Sequence, residues 1–309
     1  MVVMSTGRAL HECYGLTIES EIPLPDLGSY VADPSAPADA VVRRGRLGNP
    51  PPSAALLPLG LWRTADCIGF TVPGTGAFLV RGGTEIVVDA APDADPSAVR
   101  LYLLGTAMGA LMTLRGHLVL HGNAFRIGDG AAVVVGRSGA GKSTLAAELQ
   151  HRGLDVLADD VVPVDRDGNA LAGYPRIKLW DDALARLGVD PGGLDRVAST
   201  LEKYHLPIVH TCSDPLPLRW VYVLERHAGD DLTVARVTGT EIFSLLHEHT
   251  YRNELVHGES AVREHLEHCA RLAGRARVSR VTRPAETMTA EATADAILSD
   301  IASLSGEST

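Results

Sequence analysis

Gly136-Arg137-Ser138-Gly139-Ala140-Gly141-Lys142-Ser143 decides how this chain is read. The run fits the phosphate-loop pattern G-x-x-x-x-G-K-[ST]. Its glycines let the backbone curl until successive N–H groups converge on phosphate oxygens. Lys142 then brings a positive charge to the β- and γ-phosphates, and the Ser143 hydroxyl can ligate Mg²⁺. So short a pattern also arises by chance, as a glycine-rich turn with a solvated lysine. The flanks argue against chance here. Ala131-Ala132-Val133-Val134-Val135 enters as a buried strand. A helix-forming run with Leu145, Ala146, Ala147 and Leu149 leaves, its positive end toward the anion. The expected ligand is a nucleoside triphosphate with Mg²⁺, cradled by Gly136, Ser138, Gly139, Ala140, Gly141, Lys142, Ser143 and Thr144.

One helix further on, a strand expected over Leu154 to Ala158 ends in Asp159-Asp160. The strand–helix–strand order indicates α/β architecture. In a parallel sheet the C-terminal ends of neighbouring strands open onto one crevice, so the two aspartates are expected beside the loop. A carboxylate there can hold Mg²⁺ or take a proton from an attacking hydroxyl, and two could divide those jobs. Upstream, His121-Gly122 closes the strand expected from Leu118. A histidine at that edge can orient an aspartate, although a lone histidine is more often structural.

These residues together resemble a known family. His121-Gly122, the loop, Arg152-Gly153 and Leu157-Ala158-Asp159-Asp160 are similar in order and spacing to the catalytic core of the HPr kinase/phosphatase family. The resemblance spans about His117 to Asp165. More weakly, Tyr14-Gly15-Leu16 with Leu24-Pro25, Tyr174-Pro175-Arg176, the Lys203 segment, Thr250-Tyr251-Arg252 and Arg283-Pro284 resemble the kinases that tailor lasso-peptide precursors. The resemblance implies a P-loop kinase domain and ATP-dependent transfer to a serine hydroxyl of a peptide or small protein. It makes Asp159 the general base, His121 its partner and Asp160 a support for metal or geometry. The reverse labelling of the aspartates stays open. One feature departs from the family. Its phosphatase-capable members carry Glu-x-Arg-Gly after the core, where this chain reads Tyr174-Pro175-Arg176-Ile177-Lys178. The glutamate that serves the metal site in those members has no counterpart in this segment. Arg176, Lys178, Lys203 and Arg252 are the candidates to stabilise charge on the transferring phosphoryl group.

Outward from this core, the first third is β-rich. Short runs are expected as strands at Val41–Arg46, Cys67–Val72, Ala77–Arg81 and Glu85–Asp89. A helix from about Pro96 to about Arg115 follows. The expected layout is a small β-rich domain over 1–95, a connecting helix over 96–116, a P-loop kinase domain over 117–304 and a frayed tail over 305–309. Beyond the core, Arg219–Leu224 reads as a buried strand and Arg277–Val281 as a short one. Glu241–Leu255, Glu259–Ala273 and Ala290–Leu304 read as helices, while Ala183 to Thr211 resists assignment.

A net charge of −10 and no long basic run argue against nucleic acid as the main partner. Cys13, Cys67, Cys212 and Cys269 form no CxxC pair, so they read as reduced thiols of a cytoplasmic protein. The apolar stretch Leu101 to Leu114 is shorter than the roughly 18 residues of a membrane span and reads as a buried helix. No membrane partner is expected, and an oligomer is compatible with the sequence. His247, His249, His257, His265 and His268 read as surface residues, since His247-Glu248-His249 is not HExxH. Two rival functions remain: a kinase for a small-metabolite hydroxyl, and a nucleotide-gated regulatory or binding module.

Overall fold

The computed structural model describes residues 9–27, 37–174, 176–186, 189–198, 201–207, 214–285 and 289–306. Cys212 and Pro175 lie outside them, as do the last three residues of the expected tail. The chain divides into two compact units, residues 1–115 and 116–309.

In the first unit, eight strands form one sheet. They are β1 (Ala9–Cys13), β2 (Leu16–Ser20), β3 (Ala40–Arg44), β4 (Ala55–Leu56), β5 (Leu61–Arg63), β6 (Cys67–Val72), β7 (Gly76–Arg81) and β8 (Glu85–Ala90). Their spatial order is β1-β2-β3-β8-β7-β6-β5-β4. The helix that follows starts as α1 (Pro96–Tyr102), with the Asp95 carboxylate accepting from the Ser97 N–H and Pro96 at the first position. One π-helical turn, Leu103–Ala107, joins it to α2 (Met108–Leu114). Together they are long and apolar enough to cross a membrane. However, most of the span is buried inside the protein, as the packing of a core helix requires.

The second unit carries β9 (Leu118–Ile127), β10 (Gly130–Gly136), α3 (Lys142–His151), β11 (Val156–Val164), β12 (Asn169–Ala170), β13 (Arg176–Trp180) and α4 (Asp181–Arg186). Then come β14 (Lys203–Pro207), β15 (Leu216–His227), β16 (Thr233–Arg236), α5 (Glu241–Glu248), α6 (Glu259–Ala273), β17 (Arg277–Pro284) and α7 (Ala290–Gly306). Seven strands run in the order β10-β9-β11-β12-β15-β17-β16, and a parallel β10–β15 pairing closes part of the sheet on itself. Alternation along the strands feeds two cores. Val133, Val135, Val221 and Val223 pack with Leu245, Leu246, Cys269 and Leu272 of α5 and α6. Ala132, Val134, Tyr222 and Leu224 pack with Leu145, Leu149, Ile297 and Ile301 of α3 and α7. Helices thus cover both faces of a mixed sheet.

Four expectations need correction. The sheet is mixed rather than parallel, because β9 pairs antiparallel with both β10 and β11. The aspartates sit inside β11 rather than at a strand end. Val161 to Val164 continue the pairing against His121 to Leu118, and that buried apolar run keeps the strand going. The helix expected over Glu241–Leu255 stops at Glu248. There the chain turns to bridge Thr250 to Leu120, and Arg252 takes φ +50°. Among the histidines read as surface, His265 and His268 of α6 are buried, and so is His249 just past the end of α5.

Candidate functional site

β10 is buried along its whole length and delivers the chain into the glycine loop. Ala140 N–H donates back to Arg137 O at 3.0 Å, closing the turn. Gly139 and Gly141 take φ of +78° and +99°, which side-chain-bearing residues rarely adopt. A Cβ on Gly141 would also stand 2.5 Å from Arg283 Nη2. Gly141 starts α3 with no side-chain cap. The first-turn N–H groups of the helix are therefore left for an anion. Arg283, from the end of β17, braces the loop by donating to Ala140 O at 2.6 Å.

Strand register brings the other groups to the same level. Val134, Asn123 and Asp159 lie abreast on β10, β9 and β11, and so do Val135, Gly122 and Asp160. Gly122 is required here, because a Cβ would drive into the backbone oxygen of Val134. A cavity of about 390 Å³ opens at this level, within the size range of small-molecule sites. It brings together His121, Ser138, Gly139, Gly141, Lys142, Ser143, Thr144, Asp159, Asp160 and Lys203 from the sequence reading. Gly136 and Ala140 support the loop without lining the cavity.

The two carboxylates are held differently. Asp159 is only 5% exposed. Its Oδ1 accepts from Asn123 Nδ2 and its Oδ2 from the Lys178 N–H at 3.0 Å. Burial pushes its carboxyl above the usual range, against the pull of Lys178. Asp160 has a side chain 25% exposed. It stands 3.2 Å from His121 Nδ1 and accepts from Lys178 Nζ at 2.9 Å. Burial opposes its charge, but Lys178 and His121 outweigh that and hold its carboxyl well below the usual range. Its backbone carries φ +72°. A non-glycine residue in that region stores strain, of a kind that clusters at functional sites.

Lys142 Nζ donates to Gly136 O at 2.6 Å and Arg137 O at 3.3 Å. Burial lowers its pKa although both aspartates raise it. The ammonium is thus bound by carbonyls rather than by a carboxylate, a setting that an anion would stabilise.

The four proposed phosphate-contacting cations separate. Lys203 lines the cavity, 5.5 Å from the Trp180 ring. Lys178 is 2% exposed and its ammonium is committed to Asp160. Arg176 lies 3.7 Å from Asp195, and Arg252 stacks over Tyr251. Neither lines the cavity. Four lining residues, Asn123, Trp180, Ala183 and Arg226, escaped the sequence reading. Asn123 was within reach of it, because residue i+2 of a strand shares a face with His121.

Among the described residues no three His, Cys, Asp or Glu side chains group as metal ligands. A magnesium ion on a nucleotide takes most of its oxygens from phosphate and water and needs only one or two from protein. Ser143 and the ionised Asp160 meet that need. Asn123 Oδ1 is an all but solvent-free oxygen with no hydrogen-bond donor among the described residues. These three donors are oxygens, and they fit such an ion.

No family model matches the sequence, and no curated protein matches it. Among solved structures, the HPr(Ser) kinase/phosphatase from Coxiella burnetii is similar over 61% of this chain and 93% of its own, with 13% identity and a TM-score of 0.31. That likeness is weak and distant. It carries no argument about chemistry, which rests on the site itself.

Proposed function

We propose that this chain is an ATP-dependent kinase that phosphorylates a hydroxyl, the serine of a peptide or small protein. The observation that carries the reading is the convergence of Lys142 and two unlike aspartates on one cavity. ATP lies with its phosphates on the loop and the first turn of α3. Ser143 and Asp160 would hold Mg²⁺, which would supply neutralisation of the phosphate charge. Asp159, its carboxyl raised by burial, takes the acceptor proton. The acceptor oxygen forms a new bond to the γ-phosphorus as the bond to ADP breaks, in line. Positioning and charge neutralisation supply most of the acceleration.

One observation favours exchanging the carboxylates. Both carboxylates already have partners, but Asp160 has a side chain 25% exposed and stands 3.2 Å from His121, whereas Asp159 is buried. The choice of a peptide acceptor, within the lasso-precursor type, rests on the sequence resemblance carried by Tyr14-Gly15-Leu16 with Leu24-Pro25, Tyr174-Pro175-Arg176, the Lys203 segment, Thr250-Tyr251-Arg252 and Arg283-Pro284. Incubation with Mg-ATP and candidate peptides or small hydroxyl compounds, read as a mass gain of one phosphate, tests the reading. Transfer to small hydroxyl compounds alone would replace the peptide acceptor. Nucleotide binding without transfer to any acceptor would favour a nucleotide-gated module.

A further inference from the structure

Arg226 stands in the cavity wall with Ser138, Gly139 and Lys142. Its neighbours show how unusual its situation is. On the other face of the sheet, Arg280 of β17 is met by Glu225 at 3.0 Å and Glu241 at 2.9 Å. Arg226 is exposed and makes no ion pair or hydrogen bond among the described residues. The parallel register of β15 and β17 sets it directly beside Arg283. Arg283 is 8% exposed and donates to Ala140 O of the loop. Two arginines at paired positions of neighbouring strands concentrate positive charge, which an anion would offset. In a chain of net charge −10, this corner gathers Lys142, Lys203 and Arg226 around one cavity.

Register also says where along a phosphate chain Arg226 falls. Lys142 Nζ rests on Gly136 O, and Gly136 pairs with Leu224. Arg226 follows Leu224 by two residues on the same face, roughly 7 Å further along the strand. It therefore stands beyond the ammonium that serves the β- and γ-phosphates, on the outer side of the chain.

The geometry points to Arg226 as the side chain that binds the terminal phosphate of the nucleotide, while Arg283 holds the loop that binds the inner ones. This assignment rests on the kinase reading and deepens it. Arg226 senses whether the γ-phosphate is present, and it stabilises charge there during transfer. An arginine suits the task because its fork can take two phosphate oxygens at once.

The test is titration of the full chain, with Mg²⁺, by ADP and by an ATP analogue whose β–γ bridge is carbon. Arg226→Gln is expected to weaken the analogue about tenfold or more, the usual cost of a lost charge-assisted bond. ADP affinity should stay within about twofold of wild type and the melting temperature should not move, since the side chain is exposed. Arg226→Lys should recover part of the preference for the analogue. Unchanged affinity for both ligands would overturn the assignment. An equal loss for both would also overturn it, by placing the contact on the inner phosphates. If the wild-type chain binds neither nucleotide, the kinase reading itself fails and the assignment falls with it.

Discussion

Asp159 and Asp160 are neighbours in sequence with opposite electrostatic fates: burial prevails at Asp159, and Lys178 with His121 prevails at Asp160. The Lys178 N–H holds one carboxylate and its ammonium the other. A buried carboxylate with a raised pKa is suited to accept a proton, and one held ionised is suited to bind metal. Asp159→Asn is therefore expected to keep Mg-ATP binding yet slow single-turnover transfer by about 10²-fold or more. Asp160→Asn should weaken metal-dependent nucleotide affinity instead. If Asp160→Asn alone abolishes transfer while Asp159→Asn runs at the wild-type rate, the two roles are exchanged. Lys178→Met removes the counter-charge of a partly buried carboxylate. Urea titration should show a loss of roughly 2–4 kcal/mol, less than a fully buried pair would cost because Asp160 is partly exposed. A variant as stable as wild type would mean that the ammonium does not support the fold. Lys178 is also where sequence reading misled. A lysine after a P-loop core looks like a phosphate ligand, and nothing local says that its stem is buried beneath two aspartates.

The glycine loop, the uncapped start of α3 and the strands β9, β10 and β11 act as one device. Gly141 holds φ +99° with Arg283 Nη2 close above it. Gly141→Ala should cost about 1–3 kcal/mol of local strain. Nucleotide affinity is then expected to fall at least tenfold while the far-ultraviolet circular dichroism stays unchanged. Wild-type affinity in this variant would show that the loop does not need its present shape. The loop and α3 were legible in the sequence because a strand, a glycine run and a helix-forming run follow in order. β11 was half legible. Leu154–Ala158 marked its start, but its length depends on pairing with β9, which no local pattern encodes. The end of α5 was missed for the same reason. Its periodicity runs on past Glu248, and a bridge from Thr250 to the distant Leu120 ends the helix. Of the hairpin of β13 and β14, β14 lies in the stretch that resisted assignment from Ala183 to Thr211, where Gly and Pro interrupt every pattern, and β13 just precedes it.

At the scale of the molecule, burial of imidazoles links stability to acidity. Burial lowers the pKa of His249 and of His265 to about 4, from 6.5 in the unfolded chain. The unfolded state therefore binds protons first as pH falls. The stabilisation is complete above pH 6.5 and is lost as pH drops toward 4, by at most roughly 3 kcal/mol for each residue. Urea midpoints measured from pH 7.5 to 4.5 should fall steadily, and His265→Gln should flatten part of that slope. Midpoints that hold or rise on acidification would contradict the burial of these side chains. The second unit was legible as α/β with its loop in place, because the loop motif carries its own context. The closing of the sheet through β10 and β15 was not legible, since it joins segments some ninety residues apart, through Gly136 and Leu224. What remains is the claim on which the whole account turns, that Lys142 serves a transferring phosphate. The most direct measurement is ATP-dependent phosphate transfer by wild type and Lys142→Ala, read as acceptor mass, with melting temperatures taken alongside. The account predicts transfer by wild type and none by Lys142→Ala at an unchanged melting temperature. Equal transfer by both proteins would contradict it.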